Sequence, residues 1–381
     1  METKIKSQAL QEFQEATKTI SNPELQKWLK EGGKVFGYFC SYGPEEIITA
    51  AGALPMRIRA TGVDSTELAD AYLSSINCSF CRRAFNAGLD GGYDFLEGAI
   101  WLNNCDHVRR IYDNWRRKIN TPMSHQMSLP KTSTDAQVEW FREELEIFKD
   151  KMEKQLGVTI TDDKLWEAIK VHNETRQLLR ELYELRKADN PPISGADALS
   201  VIVASTCMPR TVFNSKIKEL LEDLKGAEGI KDYRARIMLL GSILDDPEYV
   251  KVIENIGGLV VTDSLCFGTR ICWADVDEKA GDPLTALAKF YIQEKPACPR
   301  AFDQQEIRAK FVQGLADDFK VDGVIGLRMV MCDLWAGELY MTDIDLKASN
   351  VPYLQLEREY GVVGAGQLRT RVQAFIESMG K

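Results

Sequence analysis

Hydrophobic and polar positions along the chain alternate between two rhythms. The opening ~30 residues have helical spacing, and KVFGYFC (34–40) then forms a short apolar, aromatic and β-branched run that predicts a strand ending at Cys40. After Pro44, EEIITAAGA returns to helical spacing, with two acids in the first turn that complement the helix dipole. LEGAIWLNNC (96–105) predicts a second strand, and DHVRRIYDNWRRKI predicts a helix that opens on Asp106. Residues 135–190 carry long helical periodicity with charged faces, expected to be solvated. ADNPPISG (188–195) has the composition of a linker, so the expected domains are 1–190, an α/β unit with a helical extension, and 191–381, a second α/β unit. In the second half, strands are expected at 234–242, 258–266, 321–332 and 351–359, separated by amphipathic helices and followed by a final helix. Apolar strands alternating with helices imply parallel sheets covered on both faces.

With 381 residues, two compact domains are the default. The 48 basic and 57 acidic residues give a net charge of −9, which argues against general binding to nucleic acid or anionic lipid. No stretch approaches the ~18–20 apolar residues of a membrane span, and the charged start does not resemble a signal peptide, so a cytoplasmic protein is expected.

Nine cysteines are too sparse for a disulfide scaffold. Cys40, Cys105, Cys266 and Cys332 fall at the C-terminal ends of predicted strands, where open α/β sheets bind ligands. Cys78 and Cys298 lie in loop-like stretches at or near helix starts and can approach the same edge, so six thiols are expected to converge on a cleft between two halves. Cys207 and Cys272 fit the small buried hydrophobe that free cysteine usually is. Cys78-x-x-Cys81 alone does not make a zinc site, and with only His107, His125 and His172 a histidine-rich centre is excluded. His107, two residues from Cys105, is the histidine placed near chemistry. Thiolates of this number suit an iron–sulfur cluster. No dinucleotide fingerprint or GxxxxGK[ST] loop is present, so any ATP is used elsewhere.

The stretches GYFCSYGPEEIITAAGALPMRI, INCSFCRRAF, LNNCDHVRR, VVTDSLCFGTR, GDPLTALA, VDGVIGLRMVMCDLW and VPYLQLEREYGVVGAGQLRTRVQAFIESM occur in that order along essentially the whole chain. Together they resemble the 2-hydroxyacyl-CoA dehydratase and benzoyl-CoA reductase superfamily of iron–sulfur proteins. The resemblance implies two Rossmann-like or flavodoxin-like parallel-sheet domains with the cluster in the cleft between them. It implies a [4Fe-4S] cluster on Cys78, Cys105 and Cys332, with electrons delivered by a separate homodimeric ATP-hydrolysing iron–sulfur activator. Cysteines at 40 and 298 are features of the single-chain double-cubane branch, in which Cys40, Cys78, Cys105, Cys266, Cys298 and Cys332 would hold an [8Fe-9S] cluster. The expected division is Cys78, Cys105 and Cys332 for one cubane and Cys40, Cys266 and Cys298 for the other; Cys81 leaves open which sulfur of its pair is the ligand.

On that resemblance the leading expectation is a low-potential reductase of a small substrate, a homodimer or a heterodimer with a homologous subunit. The first alternative is a [4Fe-4S] subunit of a CoA-thioester dehydratase or aromatic-CoA reductase, with Arg82, Arg83, Arg109 and Arg110 meeting coenzyme A phosphates. The second is a non-catalytic electron carrier. Arg57 and Arg270 are candidates to offset cluster charge, and Gly268 and Gly364–Gly366 are candidates to cap its sulfides. No catalytic residue beyond the thiols is assigned.

Overall fold

A computed structural model describes every residue except Glu2 and Val363, so position 363 of the matching stretch at 351–379 lies outside the described residues. The first sheet holds β1 (Val35–Tyr38), β2 (Leu54–Arg57), β3 (Gly98–Leu102) and β4 (Met123–Met127) in the order β2-β1-β3-β4. The second holds β5 (Ala235–Gly241), β6 (Gly258–Ser264), β7 (Gly323–Met329) and β8 (Tyr353–Arg358) in the order β6-β5-β7-β8. Every pairing is parallel, and helices cover both sheets, as the α/β expectation requires.

Both sheets reverse direction of growth between their first and third strands, at β1/β3 and β5/β7. Such switch points open a crevice beyond the C-terminal strand ends. The chain leaving β1 reaches Cys40, and that leaving β3 reaches Cys105; the chains leaving β6 and β7 reach Cys266 and Cys332. Fully buried strands such as ARIMLLG and GLVVTDS explain why apolar runs without alternation mark the second sheet.

Two strands carry no such signal. Four-residue β2 contains a proline, tolerated on a sheet edge, and β4, MSHQM, is an edge strand whose residues alternate between buried and half-buried. Both therefore resemble turns or loops in the sequence. The long helices Asp135–Leu156 and Asp162–Leu185 are present, but the second is not simply solvated: His172, Asn173, Thr175 and Arg176 are buried along it.

The segment around the two prolines is packed rather than loose. Residues 191–195 are buried, and Ser194 caps the helix Gly195–Ser205 through its hydroxyl. The halves also exchange elements. The first helix, Gln8–Lys18, places Leu10 and Phe13 in a core shared with Val201, Met238 and Val324, while Leu284, Leu287 and Tyr291 fill the core of the first sheet beside Phe141 and Ile169.

One buried ion pair ties helix Glu45–Ala50 to helix Asp162–Leu185. Arg176 donates to Glu46, and Tyr291 donates to the other Glu46 oxygen at 2.8 Å. Burial alone would raise the Glu46 pKa, but Arg176 and His172 outweigh it and hold the group at about 2. Breaking a buried pair from one side leaves an uncompensated charge at a cost of about 3–5 kcal/mol. Glu46→Gln is therefore expected to lower the denaturant midpoint markedly. Because the folded pKa is depressed from 4.5, this stabilisation is full above that value and is lost as pH falls toward about 2. The stability gap between wild type and Glu46→Gln, followed by urea titration, should shrink over that window; a gap independent of pH would contradict the role given to the pair.

Candidate metal centre

Each predicted site cysteine sits where a chain segment turns. Cys105 and Cys332 occupy the N-cap positions of helices Asp106–Lys118 and Asp333–Ala348, and Cys78 that of Ser79–Leu89, with Cys81 in its first turn. Cys40 follows β1 and accepts the Gly43 N–H at its carbonyl, 2.8 Å away. Cys298 lies between the π-helical turn Phe290–Glu294 and the 3-10 turn Phe302–Gln304, with its N–H bonded to the Tyr42 hydroxyl at 3.1 Å.

The Cys266 loop is organised by one carboxylate. Asp263, at the end of β6, accepts from the N–H groups of Leu265 at 3.1 Å and Thr269 at 3.0 Å, so the loop wraps around it. A Cβ on Gly268 would lie 1.7 Å from Asp263 Oδ1, so only glycine fits there. Arg270 then points back, donating to the Cys266 sulfur at 3.0 Å and to the Gly241 carbonyl at 2.7 Å. Arg57 donates to the Cys266 carbonyl at 2.5 Å and stacks over Phe267. Both arginines thus stand where cluster charge would be offset. Gly268 instead serves the Asp263 turn, and neither it nor Gly364–Gly366 lines the cavity.

Cys40, Cys78, Cys81, Cys105, Cys266, Cys298 and Cys332 all line one cavity of about 90 Å³, together with Phe39, Phe80, His107, Met329 and Trp335. The six expected thiols are therefore brought together, and Cys81 joins them. Six of the seven divide between two packing cores. Cys78, Cys81, Cys105 and Cys332 pack against the aromatic core of Phe39, Phe80 and Trp101, whereas Cys40 and Cys298 pack against the core that contains Tyr42 and Tyr291. Cys207 and Cys272 lie elsewhere, buried, with sulfurs directed at helix carbonyls such as Val203 and Thr269.

The thiols differ electrostatically. The Cys81 thiol bonded to Cys78 and the adjacent His107 hold Cys78 well below the usual thiol range, overcoming burial. Burial, assisted by the same contact, pushes Cys81 up. Burial and the neighbouring Cys78 and Cys332 raise Cys105, and burial raises Cys332 to about 12. His107 accepts from the Cys78 N–H at 3.3 Å.

No three His, Cys, Asp or Glu side chains among the described residues are gathered closely enough to share a single ion. A cluster whose sulfur ligands each bind a different iron has no such requirement, and an all-thiol donor set is the kind that holds iron–sulfur centres. The donor chemistry therefore fits a cluster and not a mononuclear metal.

Of the arginines considered for coenzyme A, Arg82 pairs with Asp70 at 2.8 Å and Arg110 with Asp106 at 3.2 Å, while Arg83 donates to the Val63 carbonyl at 3.2 Å. His125 and His172 are buried in contact with Lys151 and Thr49, away from the cavity. Two cations near the thiols escape sequence reasoning. Lys295 donates to the Ser41 carbonyl at 2.5 Å and sits over Tyr42, and Arg300 packs beside the same ring. Their one signal is proximity to Cys298.

Residues 40–379 match the family model described as 2-hydroxyglutaryl-CoA dehydratase, D-component. The chain belongs to this family. Relatives of the D-component family include the (R)-phenyllactyl-CoA dehydratase beta subunit of Clostridium sporogenes, 23% identical over 96% of this chain and 98% of its own. A benzoyl-CoA reductase chain of Thauera aromatica is 27% identical over 91% of each protein. The beta subunit of (R)-2-hydroxyglutaryl-CoA dehydratase of Acidaminococcus fermentans is 26% identical over 98% of this chain and 99% of its own. No helix among the described residues is long and apolar enough to cross a membrane.

In the reduced, metal-free protein, Cys78 is expected to react with iodoacetamide at pH 6.5 well ahead of Cys105 and Cys332, because only its thiol is held low enough to ionise there. All three are partly exposed, so access does not set the order. Peptide mapping after a short pulse measures it, and Cys81→Ala should slow Cys78. Faster labelling of Cys105 or Cys332 would contradict the assigned electrostatics.

Proposed function

We propose that the chain is a low-potential iron–sulfur oxidoreductase that holds a double-cubane [8Fe-9S] cluster on Cys40, Cys78, Cys105, Cys266, Cys298 and Cys332. The observation that carries this reading is the convergence of all six thiols on one cavity. The division into Cys78, Cys105 and Cys332 on one side and Cys40, Cys266 and Cys298 on the other is supported by their electrostatic neighbours. Cys105 is raised chiefly by burial and then by Cys78 and Cys332, and among thiols Cys298 is raised most by Cys266 and then Cys40, while Cys332 is raised by Cys78 and then by Cys298 and Cys266 and so stands where the two sets meet.

Such a cluster supplies electrons at strongly negative potential for reduction of a small substrate. The surrounding residues hold and balance it: Arg270 donates to the Cys266 sulfur, Arg57 fixes the Cys266 carbonyl, and Lys295 anchors the turn after Cys40. Hydrogen bonds to ligand sulfur tune cluster potential. Electrons come from a homodimeric ATP-hydrolysing iron–sulfur activator, and the chain works as a homodimer or beside a homologous subunit in a reducing cytoplasm. Helix Asp106–Lys118 is the proposed docking face, since Cys105 stands at its N-terminus and Arg109, Arg110, Arg116 and Arg117 are exposed along it.

A second reading is favoured by the relatives' names: a [4Fe-4S] subunit of a 2-hydroxyacyl-CoA dehydratase or aromatic-CoA reductase. Iron and sulfide analysis of anaerobically purified protein separates the two, with about eight irons per chain expected for two cubanes and about four for one. Cys40→Ser and Cys298→Ser should each lower the iron content, because a hydroxyl is a poor soft-metal ligand, whereas Cys207→Ser and Cys272→Ser should not. Unchanged iron in both Cys40→Ser and Cys298→Ser would favour the single cubane. Sustained turnover is expected only with the activator and ATP; equal turnover by the chain alone with a chemical reductant would remove the partner from the proposal.

A further inference from the structure

The thiol cavity continues outward into a vestibule of about 230 Å³, which shares Asn104, Cys105, His107, Cys332 and Leu334 with it and adds Lys131, Arg300 and Phe302. At ~30 Å³ per water molecule this space holds about eight waters. It therefore admits a small molecule.

Arg300 is the unusual member of its wall. It is 3% exposed, yet its guanidinium makes a single hydrogen bond, from Nη2 to the Leu129 carbonyl at 3.0 Å, and its buried Nε has no partner. No carboxylate lies within ion-pair distance among the described residues, and the Tyr42 ring stands 5.4 Å from its guanidinium carbon. An arginine cannot shed its charge, and a buried charge without a counter-ion is strongly disfavoured. Among the other buried arginines, Arg176 has Glu46 and Arg308 has Glu338, whereas Arg57, Arg59 and Arg186 donate to backbone carbonyls without a carboxylate from the described residues. Arg300 is such an under-bonded guanidinium on the wall of a space large enough for a ligand. The Asn104 side-chain oxygen at the same wall is also buried and unpartnered. Lys131 faces the space from the outer side, its ammonium 5.8 Å from the Phe302 ring. The vestibule's two carboxylates are on the exposed rim, where Asp106 is turned to Arg110 and Asp333 lies near His107.

We propose that this vestibule is a binding site for a small organic monoanion. A carboxylate serves as counter-ion to Arg300 and Lys131, and a short apolar body lies against Phe302 and Leu334. Bound there, the molecule reaches the thiol cavity along the wall formed by Cys105 and Cys332. That such an anion is the substrate rests on the cluster reading given above; that it binds does not.

The test uses the full chain, both as purified anaerobically with its metal and after metal removal, titrated with [1-13C]acetate and followed by NMR line width at constant ionic strength. Wild type is expected to show one saturable site in both forms. Loss of a charge-assisted contact weakens binding about tenfold, so Arg300→Met should do so, Arg300→Lys should recover part of it, and Lys131→Ala should weaken it less. Lys131 is on the surface, so its variant keeps the test valid if Arg300→Met does not fold. Absence of saturable binding in wild type overturns the proposal, as does unchanged affinity in both Arg300→Met and Lys131→Ala. Loss of iron from Arg300→Met with acetate binding intact also overturns it, and assigns the guanidinium to balancing cluster charge. Acetate binding to the metal-free form leaves the iron count untouched, so this site and the cluster reading fail separately.

Discussion

Gathering seven thiols around a small buried cavity makes their ionised forms costly where water cannot screen them, and the rest of the site is arranged around that constraint. In the metal-free protein the strain appears in the thiols themselves, since burial and neighbouring sulfurs push Cys105 and Cys332 up. Cys78 is held low, by the Cys81 thiol and His107. Arg57 and Arg270 border the cavity or hold the turn that carries Cys266, and Lys295 anchors the turn after Cys40. They come from both halves of the chain, so charge balance requires both sheets.

The fold makes the convergence economical. Two sheets with the same strand order each present a switch point; Cys40, Cys105 and Cys332 follow directly on strands that end there, and Cys266 follows the neighbouring edge strand β6. Cys78 and Cys298 arrive from helix and loop segments instead, and their placement depends on packing: Cys78 at a helix start held by His107, Cys298 against the Tyr42 hydroxyl. Membership in the 2-hydroxyglutaryl-CoA dehydratase D-component family accords with an α/β chain of this kind.

Much of this was legible in the sequence because its signals are local. Five of the eight strands open on apolar runs and β8 shows a partly alternating pattern, and the position of a cysteine relative to a strand end follows from the run itself. Strands β2 and β4 were not legible, since a proline in one and alternating polar residues in the other erase the pattern, and only pairing with β1 and β3 makes them strands. Burial of Arg176 was equally hidden, because an arginine in a charged helix looks solvated until Glu46 is brought to it from 130 positions away. Arg300 was hidden for the opposite reason: what distinguishes it is an under-bonded guanidinium beside an open space, which no sequence displays.

The exchange of helices between the halves constrains synthesis on the ribosome. The core of the first sheet is not complete until Leu284, Leu287 and Tyr291 have left the exit tunnel, and the first helix waits for Val201 and Met238 before its Phe13 is covered. The amino-terminal half therefore cannot finish folding as an independent unit while the rest is still being made. Cys332 emerges later still, so a nascent chain displays most of its thiols before the scaffold that gathers them is closed. Any loading of metal into a finished site is thereby a post-translational event, and the interval before it is when those thiols are most open to oxidation.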